Sequence, residues 1–330
     1  MKKKLTALIM AMVMILSLAA CGGNNDSGKG AAAVDTNTVA VGAVVIARDD
    51  IPEDDIYAMV SAIFENKDAI TAQHDKAKEL DLDFAASVTS VPYHPGAAKY
   101  FSEKGKTVAS VKSGAGAGSS RALTFGTGGD QGTYYGFGGV LSSYVSNNTS
   151  VSITAITSGG SKANIEDLAA DNVQLGFVQS DVMSYAYNGE RLFDSAVTGF
   201  SVVAALYMEQ VQIVTTNSEI KSVADLAGKS VSIGAAGSGV YFNAIDVLGA
   251  YGLSESDIKP VFQSFGDSTD SLKDGKIDAA FIVAGAPTTA IVELATAKPV
   301  YLVGLDESHT NALLAASPYY SAYTIKAGTY

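Results

Sequence analysis

Five times along this chain a short apolar stretch ends in glycine, serine or other small residues and gives way to a helical pattern. That recurrence restricts the fold more than any other feature. Strands alternating with longer helices cover both faces of a sheet, which predicts an α/β architecture with mostly parallel strands. Strands are expected at 38–47, 122–125, 150–156, 175–178, 201–206, 211–215, 230–233, 279–283 and 300–303. Helices are expected at 53–65, 67–80, 95–103, 134–146, 163–170, 240–251, 268–274 and 287–297.

The loops behind these strands share one chemistry. They read Gly126-Thr127-Gly128-Gly129-Asp130-Gln131-Gly132-Thr133, Thr157-Ser158-Gly159-Gly160-Ser161, Gln179-Ser180-Asp181, Gly234-Ala235-Ala236-Gly237-Ser238-Gly239 and Ala284-Gly285-Ala286-Pro287. Glycines let the backbone turn tightly and approach a ligand. The free N–H groups of the next helix start, with Ser and Thr hydroxyls, suit a carboxylate or another anion. One such loop is more often an ordinary turn than a site. Five together, drawn from both halves of the chain, predict a ligand site at strand ends between two lobes.

Other chemistries find little support. Gly128-Gly129-Asp130-Gln131-Gly132 does not match the dinucleotide fingerprint, and no loop offers the Gly-Lys-Ser/Thr of a phosphate-binding NTPase. His74, His94 and His309 lack metal-ligand spacing, and no serine sits in a nucleophile elbow. Asp270, Asp274 and Asp278 fit an exposed acidic helix face better than an acid–base pair. Glu53-Asp54-Asp55 after Pro52 fits a helix start. No catalytic residue, metal or cofactor is therefore expected.

The single cysteine, Cys21, closes Leu18-Ala19-Ala20-Cys21 after Lys2, Lys3, Lys4 and an apolar run. This is the pattern of a bacterial lipoprotein signal: residues 1–20 are the expected signal peptide, and Cys21 the lipid-modified residue of a protein outside the cytoplasm. The apolar run is short for a spanning helix. The net charge of −12 becomes −15 once the three lysines of residues 1–20 are removed. Such an acidic surface argues against nucleic acid and anionic lipid as partners, leaving the lipid on Cys21 as the membrane attachment. Residues 21–33 read as a tether, and Ser113 to Ser120, SGAGAGSS, as an internal linker.

Long motifs carry a resemblance. The strings Gly126-Thr127-Gly128-Gly129-Asp130-Gln131-Gly132-Thr133-Tyr134-Tyr135, Thr157-Ser158-Gly159-Gly160-Ser161-Lys162-Ala163-Asn164 and Leu175-Gly176-Phe177-Val178-Gln179-Ser180-Asp181 are similar to the TAXI family of solute-binding proteins. So are Val223-Ala224-Asp225-Leu226-Ala227-Gly228-Lys229, Ser232-Ile233-Gly234-Ala235-Ala236-Gly237-Ser238-Gly239 and Asp274-Gly275-Lys276-Ile277-Asp278-Ala279. The resemblance implies a two-lobed periplasmic-binding-protein fold that captures small organic solutes, commonly dicarboxylates or amino acids such as glutamate. It also implies delivery to a TRAP-type membrane permease driven by an ion gradient. The order of segments departs from the family. Val34 to Val41, Asp50 to Ile63 and Val91 to Tyr100 resemble its carboxyl-terminal part but stand first, so the chain reads as a circular permutation in which residues 113–120 join the former ends.

On this reading residues 34–49 form a strand segment at the hinge and lobe two, 50–112 a helical part of lobe one, 121–211 the rest of lobe one, 212–305 lobe two, and 306–330 a return across the hinge. Ligand donors are expected from Thr127, Gly128, Gly129, Thr133, Ser158, Ser161 and Gln179 on lobe one and from Ser238 and Gly239 on lobe two, with Ala284 and Gly285 shaping the wall. Tyr134 or Tyr135 is a candidate to pack against the solute, against the equal alternative that a tyrosine at a helix start belongs to the core. Asp181 is a candidate for receiving an ammonium group, against the alternative that it caps the following helix. A binding protein of an ATP-driven importer and an extracytoplasmic sensor or enzyme are the rival functions.

Overall fold

Two long strands rich in valine, isoleucine and alanine organise the molecule. The computed structural model describes residues 34–111 and 122–330. The expected signal peptide, Cys21, the tether, the linker and Arg121 lie outside the described residues. In chain order the strands are β1 (Thr36–Arg48), β2 (Ala122–Gly126), β3 (Ser152–Ile156), β4 (Leu175–Gln179), β5 (Phe200–Thr215), β6 (Ser230–Ser232), β7 (Lys259–Val261), β8 (Ala279–Ala284), β9 (Tyr301–Leu302) and β10 (Ser321–Ile325). They form one sheet in the order β3-β2-β4-β1-β5-β8-β6-β7, with β10 paired to β1 and β9 to β5.

The expectation of mostly parallel strands holds only at the two ends of this sheet. There β2 pairs parallel with β3 and β4, and β6 parallel with β7 and β8. The centre is antiparallel: β1 runs against β4, β5 and β10, and β5 against β8 and β9. The stretches expected as separate strands at 201–206 and 211–215 are one strand, β5. Its first half pairs with β1 and its second with β8, so the polar Glu209-Gln210 between them is carried inside a continuous ladder.

Both long strands are buried along almost their whole length, without the alternation of a half-exposed sheet, because elements pack on both faces. They also mark where one core ends and another begins. Ala43 to Ala47 and Phe200 to Tyr207 belong to a core with Phe125, Phe137, Phe177, Met59 and Phe101. Val39 and Val41, with Val211 and Ile213, belong to a second core with Val231, Val247 and Phe281. A smaller cluster around Val214, Ile282 and Ile291 backs the second core. The molecule therefore has two lobes joined by β1 and β5.

Several helices differ from expectation. The stretch 67–80 is a helix only over Lys67–Thr71, followed by a 3-10 turn at Asp75–Glu79 capped by His74. Helices at Ser180–Asn188 and Glu307–Ala316, and the strands β7 and β10, were not expected. Ser180–Asn188 follows β4 with no intervening loop, because its first residue also holds β1: Ser180 Oγ accepts from the Gly42 N–H at 3.0 Å.

Candidate functional site

Three helices begin at one place in the cleft. Thr133–Asn148, Ser161–Ala169 and Val240–Ala250 start after Gly132, Gly160 and Gly239, and none has a side-chain cap. Uncapped first-turn N–H groups and the positive ends of three helix dipoles thus face one cavity, the first two from lobe one and the third from lobe two. Glycine is needed at two of these corners. Gly160 has a φ of 99°, and a Cβ on Gly239 would lie 1.4 Å from Gln179 Oε1.

The cavity between these helix starts has a volume of about 90 Å³ and is lined from both lobes. Ten of the expected residues line it: Gly128, Gly129, Thr133, Tyr134, Ser158, Ser161 and Gln179 from lobe one, and Ser238, Gly239 and Ala284 from lobe two. Two do not. Thr127 is fully buried behind the wall, where its hydroxyl donates to the Ile156 carbonyl at 2.6 Å and its own carbonyl accepts from Asn164 Nδ2 at 2.8 Å. Gly285 lies behind the opposite wall, its carbonyl accepting from Thr133 Oγ1 at 2.9 Å and its Cα packed against Lys76 and Tyr207. Both residues hold loops in place and leave the solute to their neighbours.

Within the lining the polar atoms divide into those that are committed and those that are free. Ser161 Oγ accepts from the Gln179 N–H at 3.1 Å, and Ser158 Oγ from the Gly160 N–H at 3.1 Å, so these hydroxyls shape the loops. Ser238 Oγ, Gln179 Oε1 and Gln263 Oε1 are buried without a hydrogen-bond partner. Tyr134 does reach the cavity. Its ring stacks on Phe177 at 4.6 Å and 4°, and its hydroxyl donates to Glu209 Oε2 at 2.6 Å. Tyr135 is exposed and points elsewhere.

Glu209 is the charged lining residue that the sequence reading missed, along with Gln263 and Phe265. It sits on β5 opposite Val41, at the passage between lobes, and is 2% exposed. Burial pushes its carboxyl up to about 8; the Tyr134 hydrogen bond and, more weakly, Lys76 work the other way, and Asp181 adds to the rise. A lone acid inside a sixteen-residue, otherwise uncharged strand was the available signal. Asp181, the expected ammonium acceptor, is fully buried outside the lining; it accepts from Asn243 Nδ2 at 2.9 Å, and burial raises it to about 6.

The lobes meet around the cavity through several direct contacts. The Ala163 N–H donates to the Gly237 carbonyl at 3.0 Å, and the Ala290 N–H to the Gln131 carbonyl at 3.3 Å. Gln179 Nε2 donates to Asn243 Oδ1 at 2.7 Å, and Asn243 Nδ2 also donates to Tyr320 Oη at 2.9 Å. Tyr320 Oη donates to Asp246, whose two carboxylate oxygens both accept from Arg191 Nη1, at 2.8 and 3.1 Å. Lys76 Nζ bridges Glu79 and the Ala286 carbonyl, at 2.6 and 3.0 Å. Among the described residues no cluster of three or more His, Cys, Asp or Glu could hold a metal ion, and no helix is long and apolar enough to cross a membrane.

A cleft between two α/β lobes thus holds a small cavity lined from both sides. The chain belongs to the NMT1-like family, which it matches over residues 25–105 and 125–330. Solved structures that match part of the chain include the alkanesulfonate-binding protein SsuA from Xanthomonas axonopodis pv. citri bound to MOPS, at 20% identity and a TM-score of 0.40, covering 58% of this chain and 63% of that one. The chain thus spans less than two thirds of that protein's length. An ancestral arginine-binding protein bound to arginine matches at 17% identity and a TM-score of 0.41, over 57% of this chain and 80% of that one. A marine metagenome TRAP solute-binding protein specific for aromatic acid ligands matches at 13% identity and a TM-score of 0.35, over 59% and 74%.

Proposed function

We propose that this protein is an extracytoplasmic receptor, held at the membrane by lipid on Cys21, that captures a small organic acid or amino acid by lobe closure and delivers it to a membrane permease. The observation that carries this reading is the convergence of three helix starts without side-chain caps, from both lobes, on one cavity. A carboxylate placed there accepts N–H groups from both sides at once and so favours the closed arrangement in proportion to that difference in affinity. Nothing in the lining offers a nucleophile activated by a base, so the reading is binding without turnover.

The TAXI-like loop strings support a TRAP-type permease driven by an ion gradient. Uptake into vesicles holding the candidate permease assigns the energy source: dependence on an ion gradient supports the TRAP type, and dependence on ATP assigns an ATP-driven importer instead. The permuted order is supported by the pairing of β10 with β1, Ile325 opposite Thr36, like the two arms of a hairpin. Lys326 Nζ and the Ala327 N–H extend that pairing to the Asp35 carboxylate at 2.8 and 2.9 Å.

Thermal unfolding with a panel of dicarboxylates and amino acids tests the receptor. A bound solute raises stability by about 2.7 kcal/mol at a hundredfold excess over its Kd. A cooperative transition that no member of the panel shifts would remove organic acids and amino acids as the ligand class.

A further inference from the structure

We propose that the cleft selects an acid with one carboxylate and an apolar body, and that it rejects dicarboxylates, glutamate among them. The lining holds donors for a single carboxylate and surrounds the rest of the solute with Tyr134, Val240, Val283 and Phe265. This rests on the receptor reading above and narrows it.

The helix starts after Gly132, Gly160 and Gly239 bring backbone N–H groups to one carboxylate. A second carboxylate would find little to hold it. Among the described residues no Lys, Arg or His lines the cavity. Lys76, which acts on Glu209 from beside Gly285, is spent on Glu79 and the Ala286 carbonyl. The side-chain donors are largely spent too. Gln179 Nε2 donates to Asn243 Oδ1, Gln263 Nε2 to Ser271 Oγ at 3.1 Å, and Ser264 Oγ to Asp267 Oδ2 at 2.7 Å. The hydroxyls of Thr133 and Tyr134 donate to the Gly285 carbonyl and to Glu209. Glu209 itself is no anion site. Ionised, it repels a second carboxylate; protonated, it supplies one O–H to a group with about four acceptor positions. Taking a second carboxylate out of water here is therefore costly, whereas an apolar group of the same shape carries no such cost.

The apolar side chains come from both lobes. Val240 and Val283 belong to the core of lobe two, and the Tyr134 ring is stacked on Phe177 in lobe one. Phe265 joins the two sides. It packs against the lobe-two clusters, and a Cβ on Gly132 of lobe one would lie 3.5 Å from its ring. An apolar body beside Phe265 thus leaves water only when the lobes meet, and its burial favours the closed arrangement.

The test is titration calorimetry on the full chain at pH 7 with two shape-matched pairs, 4-methylpentanoate against succinate and L-leucine against L-aspartate, and with L-glutamate. Within each pair an isopropyl group stands where the other member has a carboxylate. The expected result is that the single-carboxylate member binds at least about thirtyfold tighter than its partner, and that L-glutamate binds more weakly than L-leucine. Phe265→Ser should weaken the single-carboxylate member about tenfold and leave the dicarboxylate unchanged. A dicarboxylate that binds wild type as tightly as its partner, or a preference undiminished in Phe265→Ser, overturns this selectivity while leaving the receptor standing. If wild type unfolds cooperatively yet none of these acids binds, both readings fall. The matched pairs on wild type decide the question even if Phe265→Ser does not fold.

Discussion

The two walls of the cleft are built differently. On lobe one the wall is braced from behind: Tyr134 lies on Phe177 and Phe177 on Phe125, while Asn164 donates to the carbonyls of both Thr127 and Phe177. On lobe two the part of the wall that faces the lobe-one helix starts is built of small residues, Ala235, Ser238 and Gly239, with Gly234 and Gly237 at positive φ, beside the larger Val240, Gln263 and Phe265. The difference separates two tasks. Lobe one and the hinge strand hold charged and hydrogen-bonding groups at fixed positions, which needs a packed support. Lobe two needs a backbone thin enough to come close, which needs residues without bulk.

Substitution of Gly239 by valine strains that comparison most. The new Cβ falls on Gln179 across the cleft, so closure is blocked while each lobe keeps its own packing. Solute affinity should fall at least a thousandfold, about 4 kcal/mol, with little change in the melting temperature of the ligand-free protein. A large loss of stability instead would show that the lobes fold as one unit. Asn164→Leu attacks the brace. It strands two buried carbonyls, so stability should drop by about 2–4 kcal/mol in denaturant unfolding.

Acid should expose the same lobe through a different residue. His94 is buried, caps the helix Pro95–Glu103 through Nδ1 and donates from Nε2 to the Ile51 carbonyl; burial lowers it to about 4, below the 6.5 of an ordinary histidine. A histidine held neutral in the folded state binds its proton first when unfolded. Stability is therefore lost as pH falls through that window, by roughly 3 kcal/mol, and His94→Gln should flatten the fall. Glu209 at the cleft has the opposite sign. Its folded-state value of about 8 exceeds the 4.5 of an ordinary glutamate, so it costs ligand-free stability as pH rises between the two. Melting curves of Glu209→Gln at pH 5 and pH 8 should differ from wild type chiefly at the higher pH.

The smallest effect is expected far from the cavity. Arg191→Ala removes the ion pair with Asp246, which is partly exposed, and should weaken solute binding three- to tenfold while enlarging the ligand-free molecule in X-ray scattering. An unchanged affinity would show that closure depends on the cavity face alone.

Much of the site was legible in the chain because its signals are local. Gly128-Gly129, Ser158, Ser161 and Ser238-Gly239 were readable as a ligand wall, since strand ends, tight turns and helix starts depend on neighbouring residues. Thr127 and Gly285 stood in the same strings but face away from the cavity, and only the pairing of their carbonyls and hydroxyls distinguishes them. The antiparallel centre of the sheet was hidden because β1 and β5 find their partners far along the chain. Glu209 was hidden with it, having the sequence pattern of a gap between two strands.

The sequence by itself determined the alternation of strands and helices, the glycine corners and the scarcity of catalytic groups, all consequences of backbone freedom and residue type. Tertiary structure alone decided that β5 runs unbroken between two cores, that Asp181 is spent on Asn243, and that Glu209 lines the cavity. Whether a polar atom is satisfied or waiting depends on which distant residues exclude water from it and which donors they bring, and that is settled only when the lobes are assembled.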